Sequence, residues 1–309
     1  MRCLVFAYSE IGAAGFEALL SLGHDVVGLV THEDHPAEER WWRSVRDLAT
    51  SRSIPTITPD DPNTPEVAAW AEALKPDILF SFYYRQLLKP PLLTLAKKGA
   101  FNLHGSLLPK YRGRAPVNWA ILEGATETGL TLHEMIEKPD AGDIVAQEAV
   151  PIGENDTAKT VFDRLVPLVP KILGGALPLL EAGTAPRKKQ DETQATIRRG
   201  RGPEDGRIDW SQPAPVVHNL VRAVTRPYPG AFTYLHGEKV LIWKGHVWRG
   251  TPFKGVDSFR RGRILGPLDG GIGVHTGAGC YVVTVAELAG KPDQPPAAFL
   301  KPGMTLKDA

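Results

Sequence analysis

Residues 101–119 read FNLHGSLLPKYRGRAPVNW, and the reading of the whole chain turns on them. The stretch opens with an apolar–polar alternation, Phe101, Asn102, Leu103, His104. It then breaks into a loop punctuated by Gly105, Pro109, Gly113 and Pro116. Side chains two apart in an extended strand point the same way, so Asn102 and His104 share one face where a strand ends. An amide beside an imidazole suits chemistry at a carbonyl: one polarises the oxygen and the other moves a proton. Taken alone, these four residues read more simply as a capped strand end with an incidental histidine.

The neighbouring sequence supplies a sheet for that strand. Short apolar runs at 4–8, 26–30, 54–57, 77–82 and 100–104 alternate with helical patterns at 16–20, 41–52, 65–74 and 91–98. Such alternation calls for a mostly parallel sheet covered on both faces, an α/β, Rossmann-like architecture. Ligands of these sheets gather outside the carboxyl ends of the strands. His104 sits at one such end, as do Ser9, Tyr83 and Tyr84. Further along, 116–123 reads as a helix and 128–136 and 144–152 as strands about a polar turn. The apolar stretch 157–180 has helical spacing, kinked or divided by Pro167 and Pro170. Residues 185–207 are polar and basic and read as a linker, with a boundary near Gly202. The expected domains are therefore 1–201, carrying the basic linker at its end, and 202–309. The second holds a helix at 215–224 and β segments at 232–235, 240–243, 263–265, 272–276 and 281–288. A small antiparallel barrel of OB type is expected there.

The totals exclude several classes. The chain has 309 residues, 42% hydrophobic and 23% charged, with a net charge of +1. Nothing global demands a polyanionic partner. Two isolated cysteines, Cys3 and Cys280, make neither a disulfide framework nor a zinc knuckle. The amino-terminal apolar run is too short for a signal peptide, and no uninterrupted apolar run approaches about 18 residues. A soluble cytoplasmic protein without membrane insertion is expected.

Other constellations carry less. The Gly12/Gly15 turn could hold a phosphate, but it lacks the full G-x-G-x-x-G, and a plain turn is the better reading. No G-x-S-x-G is present, and Ser106 reads as a loop-bonding residue. No metal site is expected, because His32 with His35, and His104 with His133, lack further ligands at metal spacing. His32 and His35 read as a solvated loop, while His133 reads equally as a core histidine or a site wall. Lys110, Arg112 and Arg114 offer three cations to an anionic ligand. Asp140 lies in a tight Pro-Asp-Ala-Gly-Asp turn. It could simply hold that turn, or could favour imidazolium if it lay near His104.

Asn102-Leu103-His104-Gly105-Ser106-Leu107-Leu108-Pro109, Tyr111-Arg112-Gly113-Arg114-Ala115-Pro116, Thr128-Gly129-Leu130-Thr131 and Asp140-Ala141-Gly142-Asp143 occur in that order. Together they resemble the signature of the 10-formyltetrahydrofolate-dependent formyltransferases. The likeness runs from Leu4 to about Gly183, with an echo at Pro227-Tyr228-Pro229-Gly230-Ala231-Phe232. Ser81-Phe82-Tyr83-Tyr84-Arg85, Gly105 and Thr131-Leu132-His133 are most similar to the UDP-4-amino-4-deoxy-L-arabinose formyltransferases of lipid A modification and polymyxin resistance. Methionyl-tRNA formyltransferases typically carry residues other than Gly105 and His133. With Ala309 as its last residue, a chain lacking the NAD-dependent decarboxylase half of the bifunctional member is expected.

The resemblance implies a catalytic set of Asn102, His104 and Asp140. It also implies 10-formyltetrahydrofolate contacts at Gln86, Leu87, Leu88, Arg114, Ile136, Glu137, Lys138 and Pro139, extending to Asp140. A nucleotide-linked amino sugar is the implied acceptor. The rival reading is methionyl-tRNA, for which the basic linker and the net-basic second domain speak; nucleic acid is otherwise disfavoured as a partner. An oligomer is allowed.

Overall fold

The computed structural model describes residues 1–34, 40–251, 260–288, 290–291 and 294–307. His35 therefore lies outside the described residues. The chain forms two compact units: Met1–Pro116, Glu127–Pro151 and Phe162–Arg199 make the first, and Val117–Thr126, Ile152–Val161 and Gly200–Ala309 the second.

The first unit is built on a seven-stranded sheet. Its strands are β1 (Arg2–Ala7), β2 (Asp25–Val30), β3 (Thr56–Ile57), β4 (Ile78–Phe82), β5 (Ala100–His104), β7 (Glu127–Glu134) and β8 (Ile144–Pro151). They lie in the order β3-β2-β1-β4-β5-β7-β8. Pairings from β3 through β5 are parallel, and β7 and β8 add antiparallel strands beyond β5. β4 is buried at all five positions and reads ILFSF, as a strand covered on both faces should. The order of connection reverses between β1 and β4, which opens a crevice at their carboxyl ends. Tyr8, Tyr83 and the loop after His104 start there.

Helix α1 (Ser9–Ser21) explains Gly12 and Gly15. A Cβ on Gly15 would stand 2.5 Å from the Phe82 ring, and one on Gly12 3.2 Å from the Phe82 carbonyl oxygen. These glycines let the helix lie close against β4. Helix α2 (Val45–Thr50) is shorter than the expected 41–52, because Ser44 caps it by accepting from Asp47 N–H. Trp41 and Trp42, ahead of the cap, instead pack edge to face with Phe162 and Tyr8. α3 (Pro65–Ala73) matches its expected span closely, whereas the expected helix at 91–98 is only the single turn α4 (Pro90–Leu93).

The stretch expected at 157–180 divides at Pro167 into α6 (Ala158–Leu165) and α7 (Leu168–Ala182). By length and composition alone, 158–182 would suffice to cross a bilayer. Its apolar stripe Val169, Ile172, Leu173, Ala176, Leu177 and Leu180 is nonetheless buried in protein, the position of a core helix.

The second unit includes most of α5 (Pro116–Leu122), α8 (Ala214–Val224) and a five-stranded antiparallel sheet. The strands are β10 (Ala231–Leu235), β11 (Glu238–Val247), β12 (Ile264–Leu268), β13 (Gly271–His275) and β14 (Cys280–Leu288), in the order β10-β11-β14-β13-β12. Both outer strands meet the chain's last described residues. Lys307 bridges Tyr234 on β10, and Thr305 bridges Arg263 just before β12. A single short segment thus covers two edges, closing the sheet in the manner of a small barrel.

Candidate active site

The cluster grows from one register. Asn102 on β5 lies opposite His133 on β7, and His104 lies opposite Thr131. The period of two puts Asn102 and His104 on one face, and the cross-strand pair adds His133 to it. Asn102 Nδ2 is 3.1 Å from His133 Nε2. Asp140 returns to the same place from the turn after β7. Its Oδ1 is 3.6 Å from His104 Nδ1, 3.5 Å from His133 Nε2 and 3.5 Å from Asn102 Nδ2. Asn102, His104 and Asp140, spread over 39 positions of sequence, are brought together, with His133 among them.

Each ring nitrogen has an assigned neighbour. His104 Nε2 lies 2.8 Å from the Tyr111 carbonyl, which can only accept, so Nε2 carries hydrogen. Nδ1 then faces Asp140. His133 Nδ1 lies 2.8 Å from the Glu134 carbonyl and by the same rule carries hydrogen. In the neutral ring its Nε2 is therefore a bare acceptor. His104 is 7% exposed, His133 1% and Asp140 15%, so these charges and dipoles act with little solvent screening.

Burial works against ionisation of Asp140. The His104 imidazole and the Gly113 backbone N–H act against it, and the carboxyl is held well below the usual carboxylate range. Gly113 N–H donates to Asp140 Oδ2 at 2.8 Å.

The loop after His104 is held from within and from far along the chain. Ser106 Oγ donates to the Lys110 carbonyl at 2.6 Å, and Thr131 Oγ1 to the Ser106 carbonyl at 2.6 Å. The two-residue strand β6 (Arg112–Gly113) pairs in parallel with β9 (Ile197–Arg198). Gly113 is obligatory here: its φ is +99° and a Cβ would stand 2.2 Å from the Arg198 carbonyl oxygen. The stretch expected as a linker thus contributes a strand to this loop. It also supplies Gln190, whose Nε2 donates to the carbonyls of Asp140 at 2.9 Å and Gly142 at 2.7 Å.

Of the three loop cations, Arg112 cannot meet a ligand. Its side chain is 2% exposed, bonded to Gln190 Oε1 and paired at 2.6 Å with Glu192 Oε1. Glu192 is held down to about 2 by its bonds to Arg112 and Lys138. Lys110 and Arg114 are exposed.

His32 corrects the expectation of a solvated loop. It stacks on Tyr84 at 4.1 Å between ring centroids and accepts the Arg85 N–H at 3.0 Å. Burial pushes its pKa down to about 4, with Arg85 and Arg114 adding to the effect. Charge and histidine content made 32–35 look solvent-facing; the stacking partner comes from the end of β4, fifty residues later. Tyr8 stands edge-on to His32 and carries Arg85 over its ring at 4.5 Å.

The remaining singled-out residues lie on the segments that follow β4 and β7. Gln86, Leu87 and Leu88 follow β4, and Leu88 packs on the same apolar cluster as Met135, which precedes Ile136. Leu87 is 67% exposed and Ile136 46%. Glu137, Lys138 and Pro139 are exposed, with Lys138 Nζ donating to Glu192 at 2.8 Å. Gln86 Nε2 donates to the Asp60 carbonyl at 2.7 Å, while its buried Oε1 has no partner among the described residues. Among the described residues, no three His, Cys, Asp or Glu side chains are grouped as a metal ion would need.

A strand-end amide, two imidazoles and a largely enclosed carboxylate gathered on a mostly parallel sheet are the kinds of group that can hold charge and move a proton at a carbonyl. Residues 1–177 match the family model for formyl transferase, and residues 202–302 that for the formyl transferase C-terminal domain. The chain belongs to the formyl transferase family and is a formyl-transferring enzyme. Solved structures share its fold. The N-formyltransferase from Helicobacter canadensis, in complex with folinic acid and dTDP-3-aminofucose, superposes with a TM-score of 0.70 at 19% identity. That match covers 93% of this chain and all of that one. WlaRD, a sugar 3N-formyl transferase seen with dTDP and 5-N-formyl-THF, gives 0.67 at 20% identity, covering 94% and 98%. A methionyl-tRNA formyltransferase from Clostridium thermocellum gives 0.56 at 16%, covering 81% and 96%.

Proposed function

We propose that this enzyme moves a formyl group from 10-formyltetrahydrofolate to the 4-amino group of a nucleotide-linked amino sugar, UDP-4-amino-4-deoxy-L-arabinose. The work falls to residues 1–201, with 202–309 as a distinct OB-like domain, in the cytoplasm and without membrane insertion. The observation that carries the reading is the convergence of Asn102, His104 and Asp140 within 3.6 Å contacts at the end of β5. The sugar choice rests on Gly105 and His133, and the fold neighbours crystallised with dTDP-linked or dTDP ligands speak for a nucleotide sugar.

The residues fit a folate. The unpartnered Gln86 Oε1 suits an N–H on the edge of a pteridine ring, and exposed Leu87 and Ile136 suit its faces. Leu88, Arg114, Glu137, Lys138 and Pro139 complete the proposed contacts, Arg114 facing the carboxylates of the glutamate tail.

The transfer is then direct. The neutral sugar amine attacks the formyl carbon, and the carbonyl π pair moves to oxygen. An Asn102 N–H supports that oxyanion. The new C–N bond leaves a proton to shed, which His104 takes at Nδ1, the nitrogen not bonded to Tyr111. Asp140, ionised and 3.6 Å away, stabilises the imidazolium. The carbonyl re-forms, the bond to N10 of the folate breaks, and N10 takes the proton back from His104.

The tRNA reading is weakened by the engagement of the basic stretch. Arg187 lies over Phe101, Arg198 over Tyr111 and Arg201 over Trp119, each within 6 Å of the ring centroid. A panel of nucleotide-linked 4-amino sugars and methionyl-tRNA, each offered with 10-formyltetrahydrofolate, tests the proposal by mass. Gain of one formyl group on the UDP-arabinose derivative is expected; formylation of methionyl-tRNA alone would overturn it.

A further inference from the structure

Asn102 is asked to donate to an oxyanion, yet a primary amide on its own has no preference for which end it presents. Rotation by a half-turn about its last torsion exchanges an N–H donor for a carbonyl acceptor of nearly the same shape. An acceptor facing a developing oxyanion would repel it. Something in the site must hold the amide in one sense.

We infer that His133 is the positioning residue that sets the sense of the Asn102 amide, by accepting one of its two N–H bonds at Nε2. This rests on the proposed formyl transfer and deepens it. Two geometric facts carry it. His133 Nδ1 is committed as a donor to the Glu134 carbonyl at 2.8 Å, so the Nε2 of the neutral ring can only accept. That Nε2 lies 3.1 Å from Asn102 Nδ2, directly across the β5–β7 pair.

Asp140 reinforces the choice, because a carboxylate also only accepts. Its Oδ1 lies 3.5 Å from the same nitrogen, a long contact that leaves the second N–H weakly held. One hydrogen anchors the amide to His133, and the other is the one released to the formyl oxygen as charge builds on it. His133 is 1% exposed, so its ring is shielded from bulk water. Its ring stands 6.4 Å from that of His104 and tilted 76° to it, so it touches the imidazole that moves the proton only through Asn102 and Asp140.

Apolar and acceptor replacements separate this role from simple packing. Turnover of His133→Leu is expected to fall by roughly 10²-fold, the scale of a misplaced reacting group, with KM for both substrates little changed. His133→Gln, whose Oε1 can accept in place of Nε2, should regain most of that loss. The double variant His133→Leu/Asn102→Ala should lose little beyond Asn102→Ala, because the effect of His133 on the oxyanion runs through the amide. Wild-type turnover in His133→Leu, or losses that multiply in the double variant, would overturn the inference. A second readout needs no turnover: ¹⁵N NMR of the histidine rings should find His133 protonated at Nδ1 and bare at Nε2. Hydrogen on Nε2 would sink the idea even in an enzyme with a different substrate. An inactive wild-type chain carrying the expected tautomer would count against the proposed substrate instead.

Discussion

The site has two halves held by different means. Asn102, His104 and His133 stand on neighbouring strands, and the sheet register alone puts them on one face. Asp140 stands on a turn, at a φ of +53° that a non-glycine residue rarely adopts. It is kept there by Gln190, fifty residues on, and by the Gly113 N–H. The sheet places the backbone of strand-borne groups without further support; a turn-borne group needs a clamp. That clamp is itself braced, since the buried Arg112 bonds both Gln190 and Glu192. The contrast predicts where substitutions will strike chemistry alone and where they will also strike stability.

On the strand half, Asn102→Ala should show the largest effect. Loss of one oxyanion donor costs roughly 10²–10³ in kcat, while β5 keeps its backbone ladder and the variant folds. Release of tetrahydrofolate, followed beside a thermal melt, separates the two outcomes. A folded variant with near wild-type turnover would refute the catalytic role.

On the turn half, Asp140→Asn should lower kcat by roughly 10²-fold and also shift the pH dependence of stability. The folded carboxyl is held below its ordinary value, so it contributes stability above the unfolded pKa, near about 4, and that contribution is lost as pH falls toward the folded value. The variant should therefore be less stable than wild type at neutral pH, with the gap closing below about pH 4. Urea melts at several pH values would show it. A gap that persists unchanged into acid would mean that the charge of Asp140 does not matter to folding.

The same contrast marks what could be read in the residues beforehand. Asn102 and His104 were visible because period-two alternation is local, and so was the sheet that carries them. Asp140 was nameable only through resemblance, since nothing within the turn reports a histidine nearly forty residues away. Gln190 and the Arg112–Glu192 pair were invisible. β6 and β9 are two residues each, too short for any periodicity, and a polar basic stretch reads as a linker unless its partner is known. His133 could not be decided because burial can be inferred from a strand pattern, whereas the atom its ring nitrogen meets cannot. His32 was misread for the same reason: its neighbours in sequence are charged, but its neighbour in space is Tyr84.

Gln190→Ala tests the clamp directly. Two carbonyls of the Asp140 turn lose their shared donor, and Arg112 loses an acceptor. A stability loss of about 1–3 kcal/mol follows from polar groups left unpaired. Turnover should fall roughly tenfold, because the carboxylate is then displaced rather than removed. The informative comparison is with Asp140→Asn: if Gln190 serves Asp140, the two losses in kcat should not multiply in the double variant. Multiplying losses would mean that Gln190 supports the fold and not the carboxylate.

The smallest effect is expected where neither strand nor clamp is involved. Leu87 and Ile136 are exposed apolar side chains on the segments after β4 and β7. Their removal takes no core contact from the folded state, so the melting temperature should stay put. What they would lose is partial burial under a bound pteridine, and a fraction of the 1.5–3 kcal/mol for a fully buried side chain amounts to about a threefold rise in KM for the folate. The kcat should not move, because neither residue belongs to the cluster of Asn102, His104 and Asp140. A double Leu87→Ala/Ile136→Ala variant with KM raised for the sugar and not for the folate would exchange the two halves of the crevice between the substrates. It would leave the cluster around Asn102 and His104 where the sheet puts it.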